Sequence, residues 1–125
     1  MVFYAKGIDT AKTKFNKPIV FREVKVNEGG CYDNTTGVFT TTVPGTYVFT
    51  ATVESEEENS DVLAWIMVDD TDYTRLRGSY TSSGSGSVSV QLGLGQKVWV
   101  KAWRNVDDYF SVGLSFTGVL VQPQL

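Results

Sequence analysis

In the stretch TYVFTATV, at residues 46–53, two sets of side chains alternate along the chain. One face of an extended chain would carry Tyr47, Phe49, Ala51 and Val53, and the other would carry Thr46, Val48, Thr50 and Thr52. A period of two is that of a β-strand with one face packed in a core. The segment therefore predicts a strand whose aromatic face is buried.

Segments of the same kind recur on both sides of this strand, separated by turn signals. We predict further strands at residues 2–5, 19–26, 37–43, 62–68, 74–80, 88–92, 98–103 and 110–120. The acidic stretch 54–61, the turn 69–73 and the Ser/Gly stretch TSSGSGS at 81–87 are predicted as loops. About ten short strands are typical of an all-β protein, and we predict a two-sheet antiparallel jelly-roll sandwich.

Composition supports this fold class and predicts one domain over residues 1–125. The 125 residues include 18 Val and 14 Thr but only 5 Ala, so residues that favour sheets outnumber good helix formers. The inward positions of the predicted strands collect large side chains that we expect in the core: Tyr32, Phe39, Tyr47, Phe49, Phe116 and Leu120. We expect Gly45 to serve a tight turn and Gly118 a crowded strand.

Charge and residue types exclude several functions. The net charge of −3 and the lack of a cationic cluster argue against nucleic acid as a partner. Because the chain has no His, it cannot form a Ser-His-Asp or Cys-His nucleophile, and no His can activate Cys31. The longest apolar run, Val62–Val68, is too short to insert into a membrane. Residues 1–15 lack the pattern of an export signal, so we expect any such signal to be absent from this chain.

A longer pattern of spaced residues identifies a family. Phe21, Asn27, Tyr32 and Phe39, followed by GTYVF at 45–49, closely resemble the signature of the complement component 1q globular-head domain. The stretches VNEGGCYDNTTGVF (26–39), LGQKVWV (94–100) and SFTGVLV (115–121) are similar to further family landmarks, so the resemblance covers residues 2–121. One position departs from the signature, since Ala51 stands where the family expects an aromatic residue.

The resemblance implies a tumour-necrosis-factor-like jelly roll that assembles as a compact homotrimer. The chain resembles short invertebrate members, which implies a secreted, extracellular, non-enzymatic protein of innate immunity that binds microbial or glycan surfaces as a lectin does. An alternative is a secreted trimeric signalling or scaffolding ligand for a cell-surface receptor. The apolar strand Val62–Val68 has no polar face, and Trp99 shares a face with Lys101 and Trp103. We expect the trimer contact to cover these side chains.

Two stretches mix rings with charged groups, as sugar-binding sites do. The candidate ligand-binding residues are Asp72, Tyr73, Arg75, Arg77 and Tyr80 in the first stretch, and Trp103, Arg104, Asp107, Asp108 and Tyr109 in the second. An ordinary solvated surface remains the alternative for both. Asn34, in Asn34-Thr35-Thr36, matches the acceptor pattern for glycosylation.

Calcium and catalysis are the remaining alternatives. Asp69, Asp70 and Asp72 could supply oxygen ligands, but their spacing matches no calcium loop. The resemblance implies that some members of the family bind calcium near the trimer apex, through Asp and Gln in and after the strand that follows this turn. The equivalent stretch here, 74–83, holds Arg75, Arg77 and Ser82 instead. We therefore expect no cofactor and do not favour calcium. No sequence feature fixes a pair of carboxylates across a cleft, as glycoside hydrolysis requires.

Overall fold

The computed structural model describes residues 1–9, 16–54, 62–79, 83–102 and 115–124. Its strands are β1 (Val2–Ile8), β2 (Phe21–Asn27), β3 (Tyr32–Asp33), β4 (Val38–Thr40), β5 (Gly45–Val53), β6 (Val62–Val68), β7 (Thr71–Gly78), β8 (Gly84–Leu92), β9 (Lys97–Ala102) and β10 (Ser115–Pro123). Sheet I has the order β2-β1-β10-β5-β8, and sheet II has the order β3-β4-β9-β6-β7. Every pairing is antiparallel. The predicted jelly-roll sandwich is confirmed.

The core between the sheets is built on aromatic rings. Phe3 lies at its centre, with ring centroids 5.0 Å from those of Tyr32 and Phe116 and 5.3 Å from that of Phe39. All the predicted core residues except Leu120 are buried, and Leu120 is half-buried against the same cluster. The inward alternation of the sequence was therefore predicted correctly.

Gly118 lies in β10, next to the rings of two phenylalanines, Phe3 and Phe49. A Cβ built there would meet the ring of Phe3 and would come within 2.7 Å of the ring of Phe49, so the prediction of a crowded strand is confirmed. The prediction that Gly45 serves a tight turn was wrong. Gly45 begins β5 instead of serving a turn, and a Cβ there would meet the backbone carbonyl of Gln122 in β10.

Three other sequence predictions differ from the structure. The loop predicted at 81–87 is in part a strand, because β8 begins at Gly84, and the turn predicted at 69–73 ends where β7 begins at Thr71. The strand predicted at 37–43 is only three residues long, since β4 covers Val38–Thr40. Residues 80, 103 and 110–114, at the ends of three predicted strands, and residues 55–61 and 81–82 of the predicted loops lie outside the described residues.

Candidate functional site

Strand β6 has an apolar face on each side of sheet II, as the sequence indicates. Ala64, Ile66 and Val68 belong to the core. Of the other face, Met67 is only 4% exposed, and Leu63 and Trp65 are half-buried. The chain itself therefore covers much of the second face, and a contact with a neighbouring copy at β6 stays a prediction.

Two cations lie on either side of the indole of Trp65. In the register of sheet II, Trp65 is directly opposite Arg75 of β7 and Lys101 of β9. Directly opposite residues of antiparallel strands point to the same side of the sheet. The Lys101 ammonium lies 5.8 Å from the centroid of the Trp65 ring, a cation–π contact. We call Arg75, Trp65 and Lys101 the cation–indole row.

The candidate residues of β7 fall on both sides of this row. Arg77 lies opposite Leu63, on the same face as Arg75. Asp72 lies opposite Met67, and Tyr73 is the extra residue at the register shift between Ile66 and Met67, where it is 50% exposed. Strand β7 therefore brings the four together along one edge of sheet II. The other candidates, Tyr80, Trp103, Arg104, Asp107, Asp108 and Tyr109, lie outside the described residues.

Trp99 neighbours the row on β9, opposite Met67. Its indole N–H donates a hydrogen bond of 2.9 Å to the backbone carbonyl of Asp69. The ring therefore has a polar partner within the chain, at the turn between β6 and β7. Trp99 and Lys101 share the outer face of β9, as predicted from their spacing.

The turn that follows β6 is fixed by the carboxylate of Asp69. One carboxylate oxygen accepts the Lys97 backbone N–H at 3.0 Å, and the other accepts the Gln96 side-chain amide at 3.0 Å. These bonds to the charged form, the Lys97 N–H first, lower the pKa of Asp69 below its usual 3.8. Among the described residues, no group of three acidic, Cys or His side chains is arranged to hold a metal ion.

Asn34 lies in the exposed turn between β3 and β4. Its side-chain amide donates a hydrogen bond of 3.2 Å to the carbonyl of Arg22. Glycosylation of this amide stays a prediction.

Sheet I has a different outer face. Its neighbouring strands β10, β5 and β8 contain no charged residue in any of their positions. Their outward side chains are mainly Ser, Thr and Val, and among them Val119 is 43% and Val121 is 60% exposed. We call this surface the uncharged face.

A polar pocket of about 300 Å³ opens at one end of the uncharged face, lined by Gly45, Thr46, Gln91, Gln122, Pro123 and Gln124. Amides and one hydroxyl can hydrogen-bond to a ligand, but none of these side chains titrates near neutral pH. The pocket can therefore hold a polar molecule, and it contains no general acid or general base.

Sequence reasoning missed Trp65 and Lys101 as part of the site. Both stand at alternate positions of their strands, in VLAWIMV and KVWVKA, so each could be assigned to a face. Which residues lie opposite each other depends on the pairing of β6 with β7 and β9, which the sequence does not state.

The ten described strands form a jelly roll with rings and cations on one outer face and Ser, Thr and Val on the other, which defines a protein of the β-sandwich class. The particular family follows from comparison with known proteins. The family model described as C1q domain matches residues 2–121, and the chain belongs to the C1q domain family. The resemblance stated from the sequence is confirmed.

Relatives and solved structures agree with this family. The chain is 35% identical over 91 residues to Protein HP-25 homolog 2 of Bos taurus, a match that covers 70% of this chain and 41% of that protein. It is 32% identical over 115 residues to Complement C1q tumor necrosis factor-related protein 2 of Mus musculus, covering 83% and 37%. The chain thus spans about two fifths of the length of these relatives.

Among solved structures, the globular domain of zebrafish complement 1qA protein matches with a TM-score of 0.80 at 20% identity, over 98% of both chains. Murine APRIL matches with a TM-score of 0.76 at 12% identity, over 96% of this chain and 98% of that one. At these identities the likeness shows the fold alone. Within the described residues, no helix has the length and apolar character needed to cross a bilayer.

Proposed function

We propose that the protein is a secreted, non-enzymatic recognition protein that works as a homotrimer and binds glycan or microbial surfaces as a lectin does. The observation that carries the proposal is the contrast between its two outer faces. The uncharged face suits contact with further copies of the chain, and the cation–indole row, on the opposite side of the sandwich, suits contact with a ligand.

The uncharged face supports self-association. Charged residues are depleted at the centres of protein interfaces, and three neighbouring strands without a charge are unusual in a chain with 20% charged residues. Val119 and Val121 add exposed apolar area there. This moves the proposed trimer contact from strand β6 of sheet II to sheet I.

The side chains around the row support binding instead of catalysis. The Arg guanidinium and the Lys ammonium are hydrogen-bond donors without acceptor capacity, so they suit the binding of anions. The indole gives a flat surface on which a sugar ring can stack. Three copies on one body would raise the avidity for a repetitive surface, by roughly a hundredfold or more, if ligands match their spacing.

Two measurements test the proposal. Sedimentation at micromolar concentration should give about three times 13.8 kDa, and an array of neutral and acidic glycans should give reproducible binding. A protein that sediments as a monomer would contradict the trimer. A trimer that binds no glycan would contradict lectin-like recognition.

A second candidate function is that of a trimeric ligand for a cell-surface receptor. Two exposed apolar side chains favour it: Leu94, 73% exposed in the turn between β8 and β9, and Tyr73, 50% exposed on β7. Apolar and aromatic anchors of this kind often dominate protein–protein contacts. Binding to a cell-surface protein in a receptor screen, together with a blank glycan array, would favour this function over the first.

A further inference from the structure

We propose that the cation–indole row binds anionic polysaccharides, whose sugars carry carboxylate or sulfate groups. The inference rests on the proposed recognition function and names the ligand class and the residues of its site. Trp65 would receive the apolar face of a sugar ring, and Arg75 and Lys101 would each receive an anionic group.

The geometry of three adjacent strands sets the spacing. Neighbouring strands lie about 4.8 Å apart, so the backbones that carry Arg75 and Lys101 are separated by roughly 10 Å with the indole between them. A carboxylate or sulfate on each side of a stacked ring could therefore meet one cation each. Arg75 can also bind such a group through two parallel hydrogen bonds, which a lysine cannot do.

The two cations are not neutralised by the described part of the chain. Neither Arg75 nor Lys101 forms an ion pair with a carboxylate of the described residues, whereas Lys6 and Lys25 of sheet I both lie near Glu23. The Lys101 ammonium lies over the indole instead. An anionic ligand would offer this ammonium a stronger partner than the ring, and its movement would open the indole for stacking.

Acidic residues limit where the anion can lie. Asp69, Asp70 and Asp72 are all exposed at the turn between β6 and β7 and the first residues of β7. Asp72 is opposite Met67, two positions along β6 from Trp65, so it repels an anion at that end of the face. The ligand should therefore lie either along the row, across the three strands, or on the side of the row that faces away from the turn. The net charge of −3 leaves no extended basic surface for a nucleic acid backbone, which favours a sugar over a nucleic acid.

The test uses short probes in solution, so that avidity does not conceal the effect of one site. Binding of oligogalacturonate and of a sulfated dextran oligosaccharide is measured by calorimetry and by tryptophan fluorescence, with unsulfated dextran as the neutral probe. We expect both anionic probes to bind more weakly as salt is raised. Arg75→Ala and Lys101→Ala should each weaken binding about 10- to 100-fold, the range for a hydrogen bond to a charged group.

Matched controls separate the row from general charge. Arg22→Ala and Lys25→Ala remove the same charges from exposed positions of sheet I and should change affinity by less than about threefold, since only screened long-range attraction is lost. Trp65→Phe retains an apolar ring and should abolish most of the fluorescence change on binding. Melting curves of all variants check that the fold is unchanged.

The outcomes distinguish this inference from the proposed function. If the row variants bind anionic probes as tightly as the native protein, the row is not the site, although the lectin function stands. If the native protein binds only neutral glycans, the ligand class is wrong. If a single-stranded oligonucleotide of equal charge binds as tightly as the sulfated probe, the assignment to polysaccharides is overturned. If no glycan binds at all, the proposed function itself is contradicted.

Discussion

The hydroxyl of Tyr32 is buried in the core and still makes two hydrogen bonds. It accepts the backbone N–H of Phe21 at 3.0 Å and donates to the carbonyl of the same residue at 3.2 Å. Burial raises the pKa of Tyr32 far above its ordinary value, so the group stays protonated and can keep donating. A single side chain thus ties β3 of sheet II to β2 of sheet I.

Tyr32→Phe removes both bonds without changing the ring. We expect a loss of about 1 to 3 kcal/mol in the free energy of unfolding, because buried polar groups of Phe21 lose a partner. Urea unfolding measures the loss, and Tyr4→Phe, on a half-buried tyrosine of β1, is the matched control. Equal unfolding midpoints for the two variants would show that the Tyr32 hydroxyl contributes nothing.

The carboxylate of Asp69 makes the stability of the β6–β7 turn depend on pH. Its pKa is lowered in the folded chain, so its contribution is present above the unfolded pKa and is lost as the pH falls through the folded value. We expect Asp69→Asn to lower the melting temperature at neutral pH, and the difference from the native protein to vanish well below about pH 4. Asp70→Asn, at the exposed neighbouring residue, is the control. A difference that persists unchanged in acid would contradict this account.

At the scale of the elements, glycines decide how closely strands approach. The predicted loop at 81–87 looked flexible because it contains only Thr, Ser and Gly. In the structure, a Cβ at Gly84 would meet the carbonyl of Arg77, and a Cβ at Gly86 would meet the side chain of Leu76. The glycines are therefore needed where β8 lies against β7. Composition alone cannot distinguish such a strand from a linker, because the reason lies in a neighbouring element.

Gly118 permits a similar close approach inside the core. Gly118→Ala should cost about 1 to 3 kcal/mol, since the added methyl group would displace the rings of Phe3 and Phe49, which are packed against β10. Val119→Ala, one residue along the same strand at a 43% exposed side chain, should cost less. Chemical denaturation of both variants measures the difference. A Gly118→Ala protein as stable as the native one would show that the rings can move aside.

Strand pairing also explains how much of the site could be predicted. Arg75 and Arg77 are two residues apart, so the sequence alone places them on one face of a strand. Trp65 and Lys101 join them only through the register of β6 with β7 and β9. That register depends on contacts between segments distant in sequence, which no local pattern records. For the same reason, the polar partner of Trp99 on the Asp69 turn could not be predicted.

For the whole molecule, the proposed function assigns self-association to one outer face and ligand binding to the other. Sheet I offers three strands without charge, and sheet II offers cations on both sides of an indole. Because the sheets lie back to back, association through one face leaves the other exposed to solvent. Each copy added to an assembly would then add one ligand site, and binding to a repetitive surface would depend on the number of copies.

Val119→Arg tests whether the uncharged face makes the contact between copies independently of ligand binding. Val119 lies on β10 opposite Val2 of β1 and Val48 of β5, so a cation there would be desolvated in any contact made by the uncharged face. We expect the variant to sediment near 13.8 kDa with an unchanged circular dichroism spectrum, because the native side chain is already 43% exposed in the single chain. Its affinity for a short glycan in solution should stay the same, while retention on a glycan-coated surface should fall by about a hundredfold as avidity is lost.

Leu94→Arg introduces the same charge at an exposed position outside this face and should leave both mass and retention unchanged. If Val119→Arg kept the native mass, the contact between copies would have to lie elsewhere on the sandwich. If Val119→Arg lost its binding of the short glycan, the two faces would not act independently.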